Sequence, residues 1–172
     1  MKEYKEIQVA LLGLGTVGLG VYKVLQMQKE EMQHKIGTEI KIKKILVRNL
    51  EQAAGKIEDA SVLTDSWQEI VNDDEIQIVI EVMGGMEPAR TYIMEAMQAG
   101  KQVVTANKDL IAADGKELMD QAKKSGCDLL FEAAVAGAIP IIRPLKQCLA
   151  GNHLSEIMGI VNGTTNFILT KM

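Results

Sequence analysis

The stretch "ALLGLGTVGLG" occupies residues 10–20, and its reading decides the fold. An apolar run, "IQVALL" at residues 7–12, leads straight into Gly13-Leu14-Gly15-Thr16-Val17-Gly18. Beyond the glycines, Val17, Val21, Val24 and Leu25 recur at helical spacing, and the polar "QMQKEEMQ" carries that helix outward. A GxGxxG string by itself is weak, because glycines are common. Directly after a strand and at the opening of a helix it is informative. Gly13 allows the tight turn. Gly15 lacks a Cβ, so the backbone can approach a pyrophosphate. Gly18 lets the helix pack closely on the strand. The helix N-terminus then presents free N–H groups and its positive dipole end to the phosphates.

Working outward, short apolar runs alternate with longer amphipathic ones. Strands are expected at residues 40–47 ("IKIKKILV"), 76–82 ("IQIVIEV"), 102–105 ("QVVT") and 128–133 ("DLLFEA"). The run at 76–82 is nearly all apolar, as a strand covered on both faces should be. One helix is expected from Pro88 to near Gly100, with proline in its first turn and glycine past its end. Another is expected from about Ala113 to Ser125, stopping at Gly126. This alternation implies parallel strands joined by right-handed crossovers, hence an α/β, Rossmann-type doubly wound sheet. The division expected is a nucleotide-binding domain over residues 1–151 and the start of a second, α+β domain over 152–172, opening with a strand at 156–161.

Composition narrows the partners. Of 172 residues, 19 are basic and 23 acidic, a formal net charge of -4 that gives no reason to expect nucleic acid or an anionic membrane. No apolar run approaches the ~20 residues of a membrane span. The two cysteines, Cys127 and Cys148, are not in a CxxC pair and have no ligand-spaced histidine, so they read as reduced, half-buried residues of a cytoplasmic protein.

Further candidates follow the strands. The second strand ends "ILVRNL", with Arg48 where an acidic residue would otherwise hold a ribose 2′-OH. Arg48 can pair with a 2′-phosphate, or be a solvated surface arginine. "EVMGGMEP" puts Gly84 and Gly85 at a strand end, as a close backbone approach to a ligand or a simple loop. "VVTANKDLIA" puts Thr105, Asn107 and Lys108 on the same rim. A lysine there could take a hydroxyl proton, while Asn107 and Asp109 are also ordinary capping residues. In "FEAAVAGAIPIIRPL", Glu132 is a carboxylate in an apolar run. It must find a positive group, backbone donors or a metal ion, unless it simply belongs to a helix N-terminal cap.

Taken in order, "GLGTVG", "EVMGG", "VVTANKDLIA", "FEAAVAGAIPII" and "GIVNGTTNFIL" resemble homoserine dehydrogenase, over nearly the whole chain. The resemblance implies NAD(P)-dependent interconversion of L-homoserine and L-aspartate 4-semialdehyde, on the route to threonine, methionine and isoleucine. It implies that Gly13, Gly15, Thr16, Val17 and Gly18 hold the pyrophosphate and that Arg48 lies beside the adenosine ribose. Met83, Gly84 and Thr105 would contact the nicotinamide half of NADP or NAD. Lys108 would be both a cofactor contact and the catalytic lysine. Glu132, with the carbonyls of Val135, Gly137 and Ile139, would match a monovalent cation site, usually assigned to sodium. The family is dimeric, and its substrate-binding residues and second lysine would lie beyond Met172. The chain is thus expected to be a fragment that binds cofactor and turns over little.

Two other readings compete. One is a different reductase of the same nucleotide fold. A thioester-forming semialdehyde dehydrogenase would need a nucleophilic cysteine at the rim, and neither cysteine is placed there. The other is a non-catalytic NAD(P)-sensing module, which would call for a DNA-binding or effector segment that the sequence does not display.

Overall fold

The computed structural model describes residues 6–137, 139–160 and 162–172. Its centre is a parallel sheet of six strands: β1 (Glu6–Leu12), β2 (Glu39–Leu46), β3 (Leu63–Thr64), β4 (Ile76–Glu81), β5 (Gln102–Thr105) and β6 (Leu129–Leu130), in the order β3-β2-β1-β4-β5-β6. Chain direction away from β1 reverses between β2 and β4, so β1 lies at the switch point of a doubly wound sheet.

The sheet is covered on both faces because its strands alternate between two cores. In β1, Ala10 and Leu12 face one cluster with Val79, Val103, Ile93 and Met97, supplied in part by α5 (Ala89–Gln98) and α6 (Lys108–Ser125). Val9 and Leu11 face the other, with Ile42, Ile45, Tyr22 and Ala53, supplied in part by α1 (Thr16–Met27) and α3 (Leu50–Ala54). Between these elements lie α2 (Lys29–Ile36) and α4 (Gln68–Val71), and α7 (Gly163–Lys171) closes the chain.

The structure departs from the expected elements in five places. The helix after the glycine turn is two helices parted at Gln28, and the second buries no side chain. The two-residue edge strand β3 has too few residues for an apolar pattern to announce it. The helix expected from Ala113 begins at Lys108, because the Asn107 side chain accepts the backbone N–H of Leu110 and caps it there. The strand expected over 128–133 spans only Leu129–Leu130. Glu132–Ala134 then form a 3-10 turn, since this edge strand has β5 alone to pair with. Residues 156–160 form no strand: they are exposed, with no neighbour to complete a ladder, and the last residue of that expectation, Val161, lies outside the described residues. Cys127 is half-buried as expected, but Cys148 is exposed, at the end of a π-helical turn over Pro144–Cys148.

Candidate functional site

The strands end at a common rim, and a cleft of about 570 Å³ opens there beside the end of β1. Gly13, Gly15, Arg48, Lys56, Met83 and Tyr92 are among the residues that line it. Gly13 has φ +99°, a conformation that disfavours any side chain, and its N–H donates to the Leu46 carbonyl at 2.9 Å. At Gly18 an added Cβ would stand 2.1 Å from the Gly13 carbonyl oxygen, so the helix can lie this close only on glycine. At Gly15 an added Cβ would meet nothing within 4 Å. Its bareness serves no contact within the chain. Gly15 is also the N-cap of α1 and supplies no side-chain oxygen, so no capping side chain takes the N–H donors of the first turn. Thr16 and Val17 in that turn are exposed.

Arg48 is exposed two residues past the end of β2 and lines the cleft. Sequence reasoning missed a second cation on this wall. Lys56 lines the same cleft, its Nζ 3.4 Å from the Leu14 carbonyl. It follows a short helix with no motif to mark it. Tyr92 joins the lining and stacks on Trp67 at 4.5 Å between ring centroids, while the Trp67 Nε1–H donates to Glu95.

The opposite wall is held by a buried carboxylate. Glu81 ends β4 in register with Thr105 at the end of β5, so the two side chains share a face. Both are fully buried. Glu81 Oε1 accepts the backbone N–H groups of Met83 at 2.8 Å and Gly84 at 3.2 Å, and Oε2 accepts the Thr105 hydroxyl at 2.6 Å. The Thr105 oxygen in turn accepts the Asn107 N–H, and Asn107 Nδ2 donates to the Gly85 carbonyl at 2.6 Å. Thr105, expected at the cofactor, therefore turns its hydroxyl into this network. Met83 lines the cleft, and Gly84 is exposed with φ +73°. Sequence reasoning passed over Glu81, although it carries the signal that drew attention to Glu132, a carboxylate in an apolar run.

Lys108 opens α6 with its side chain 76% exposed and its Nζ 3.4 Å from Asp109. A cation in the first turn of a helix opposes the helix dipole, so helix stability does not account for it. Glu132 does find backbone donors: its carboxylate accepts the N–H groups of Ile141, Ile142 and Arg143 at 2.5, 2.9 and 2.8 Å. Burial pushes its carboxyl up, but these donors and the nearby Arg143 charge outweigh that and hold it below the ordinary range. Val135, Gly137 and Ile139 follow in the same loop, where Ala136 and Gly137 both adopt left-handed backbone. Cys127 precedes β6, at the edge of the sheet opposite the cleft, and burial and the charge of Asp128 push its thiol up. It is no activated nucleophile.

A parallel sheet with a glycine turn at its switch point, opening on a helix N-terminus, defines a dinucleotide-binding domain. The family models agree: residues 13–132 match the NAD binding domain of homoserine dehydrogenase, and residues 140–172 match the homoserine dehydrogenase model that follows it. A homoserine dehydrogenase of Bacillus subtilis is 49% identical over 168 residues, covering 98% of this chain and 39% of the relative. The crystal structure of a homoserine dehydrogenase from Thiobacillus denitrificans superposes with a TM-score of 0.87 at 47% identity, over 98% of this chain and 39% of that one. A hyperthermophilic archaeal homoserine dehydrogenase in complex with NADPH superposes at 0.68 with 27% identity, over 81% of this chain and 48% of that one. The chain belongs to the homoserine dehydrogenase family and carries its NAD-binding domain. It spans about 39% of the length of the Bacillus relative. Among the described residues, no helix is long and apolar enough to cross a membrane.

Proposed function

We propose that this chain is the cofactor-binding part of an NAD(P)-dependent enzyme that interconverts L-homoserine and L-aspartate 4-semialdehyde. The observation that carries the reading is the cleft at the switch point. It joins an uncapped helix N-terminus, an empty space at the Gly15 Cβ position and a cationic wall at Arg48 and Lys56. Those features suit a pyrophosphate and a phosphorylated ribose.

The nicotinamide of NAD(P), when bound, exchanges a hydride with the carbon that bears the substrate oxygen. The first-turn N–H groups of α1, from Thr16 to Gly18, hold the pyrophosphate through hydrogen bonds and the helix dipole. Arg48 pairs with the 2′-phosphate of NADP, a contact that NAD does not offer. Met83 and Gly84 line the nicotinamide half, and Thr105 serves that half through the loops it ties. Lys108 stands exposed at the rim beside Asp109, where its amine can exchange a proton with the substrate hydroxyl.

A sodium ion is part of the same proposal. The carbonyls of Val135, Gly137 and Ile139 accept no hydrogen bond from the described residues, and carbonyl oxygens suit a hard cation. The Glu132 carboxylate is taken up by backbone donors and fixes that loop. The remaining parts of the reading are a domain boundary near Gly151, a homodimer in the complete enzyme, a cytoplasmic location and a step toward threonine, methionine and isoleucine. The boundary is supported by exposure: every described residue from Lys146 onward is exposed.

Trp67 is the sole tryptophan and stacks on a cleft residue, so its fluorescence reports on the site. Titration with NADPH and NADH should give saturable binding, with little or no homoserine oxidation by this chain alone. A folded chain that binds neither cofactor overturns the reading.

A further inference from the structure

Glu81 is the only buried carboxylate among the described residues. Three of the five buried polar side chains, Glu81, Thr105 and Asn107, form one chain of hydrogen bonds. A carboxylate this deep costs free energy unless its oxygens are satisfied, and its donors come from the loop after β4 and from Thr105 at the end of β5. Its Oε1 holds the Met83 and Gly84 amides of the loop after β4. Its Oε2 holds Thr105, whose oxygen receives the amide of Asn107. Asn107 then closes the circuit in two directions. Its Nδ2 returns to the Gly85 carbonyl, and its Oδ1 caps α6, the helix on which Lys108 is the first residue.

We propose that Glu81 is a positioning residue for the nicotinamide end of the cofactor site. It clasps the Met83–Gly84 backbone and, through Thr105 and Asn107, sets the N-terminus of α6 and with it Lys108. The proposal rests on the cofactor-binding reading above. Thr105 donates to Glu81, because a carboxylate oxygen only accepts, and the same hydroxyl oxygen accepts from Asn107. Charge and hydroxyl therefore act as a unit. Glu81→Gln keeps the size but turns an amide N–H₂ toward Thr105, and Thr105→Val keeps the shape but removes the hydroxyl.

The test compares two ligands on this chain by Trp67 fluorescence: NADPH, and 2′-phospho-ADP-ribose, which has the adenosine and pyrophosphate but no nicotinamide. In Glu81→Gln and in Thr105→Val, the dissociation constant for NADPH should rise about ten-fold while that for 2′-phospho-ADP-ribose changes less than about two-fold. Thr105→Ser, which restores the hydroxyl, should recover the NADPH affinity. The double variant should lose no more than the worse single one, because both break one circuit. Equal losses for the two ligands would mean a general structural role and overturn the proposal. So would unchanged NADPH binding, or a wild-type chain that binds NADPH no better than 2′-phospho-ADP-ribose. A wild-type chain that binds neither ligand overturns the cofactor reading itself, a distinct result.

Discussion

At the rim of the sheet, the turn after β1 holds Gly13, Gly15 and Gly18 and no charged side chain, whereas the turns after β4 and β5 close on Glu81, Thr105 and Asn107. The first turn is shaped by steric permission. A positive φ at Gly13 and a missing Cβ at Gly18 let backbone approach backbone. The second pair is shaped by satisfied polarity, in which a buried carboxylate collects the N–H groups that loops would otherwise leave unpaired. The permissive turn can leave its helix N-terminus open for an anion. The clasped turns hold their own donors inward and present backbone and Lys108 outward.

The comparison can be broken most strongly at Gly18. Gly18→Ala should cost roughly 3 kcal/mol of stability in urea unfolding, because its Cβ would collide with the Gly13 carbonyl. A variant as stable as wild type would show that α1 can shift away from β1. Gly13→Ala should cost about 2 kcal/mol by the same measurement, from strain at φ +99°. Gly15→Ala sharpens the contrast. Stability should change by less than about 0.5 kcal/mol, while NADPH affinity in a fluorescence titration falls about ten-fold, some 1.4 kcal/mol. Equal effects on folding and binding at Gly15 would erase the distinction between its role and that of Gly18.

On the cationic wall, Arg48→Ala should weaken NADPH binding by about 1 kcal/mol and leave NADH nearly unchanged. Equal losses for both cofactors would exclude a 2′-phosphate contact.

The smallest effect is expected away from the rim, where the chain enters β4 and β5: there Lys43 pairs with Asp73 at 2.6 Å and the buried Lys101 donates to the Asp73 carbonyl. Burial pushes the Asp73 carboxyl up. The Lys43 hydrogen bond, the Glu75 N–H and the Lys43 and Lys101 charges outweigh it, holding the group below 3.8. A carboxyl lowered on folding adds stability above its unfolded value, and that stability is lost as pH falls through 3.8 toward the folded value. Asp73→Asn should therefore cost about 0.5 kcal/mol at neutral pH and show a shallower acid decline in thermal melts, with cofactor binding untouched. An unchanged acid profile would mean that this pair does not contribute.

The glycine turn was legible because its constraints are local. A missing Cβ and a flanking apolar strand are both written in consecutive residues, and β5 and the class of sheet followed from the same kind of signal. Glu81 escaped notice although its sequence position, the last residue of an apolar strand, was as anomalous as that of Glu132. Nothing local says which donors such a carboxylate will collect. For Glu132 the donors come from nine to eleven residues ahead, on Ile141, Ile142 and Arg143. For Glu81 one donor is 24 residues away, on a neighbouring strand.

Extended runs also mislead when their partners are missing. Residues 156–160 have the apolar pattern of a strand and no strand beside them, so no ladder forms. The sequence by itself determined the alternation of strand and helix, the glycine turn, and the positions of Arg48 and Lys108, because period and glycine placement act over a few residues. Tertiary structure alone decided that Lys56 joins Arg48, that Thr105 faces inward, and that Glu81 ties two loops together, because strand register and crossover packing set which distant residues meet.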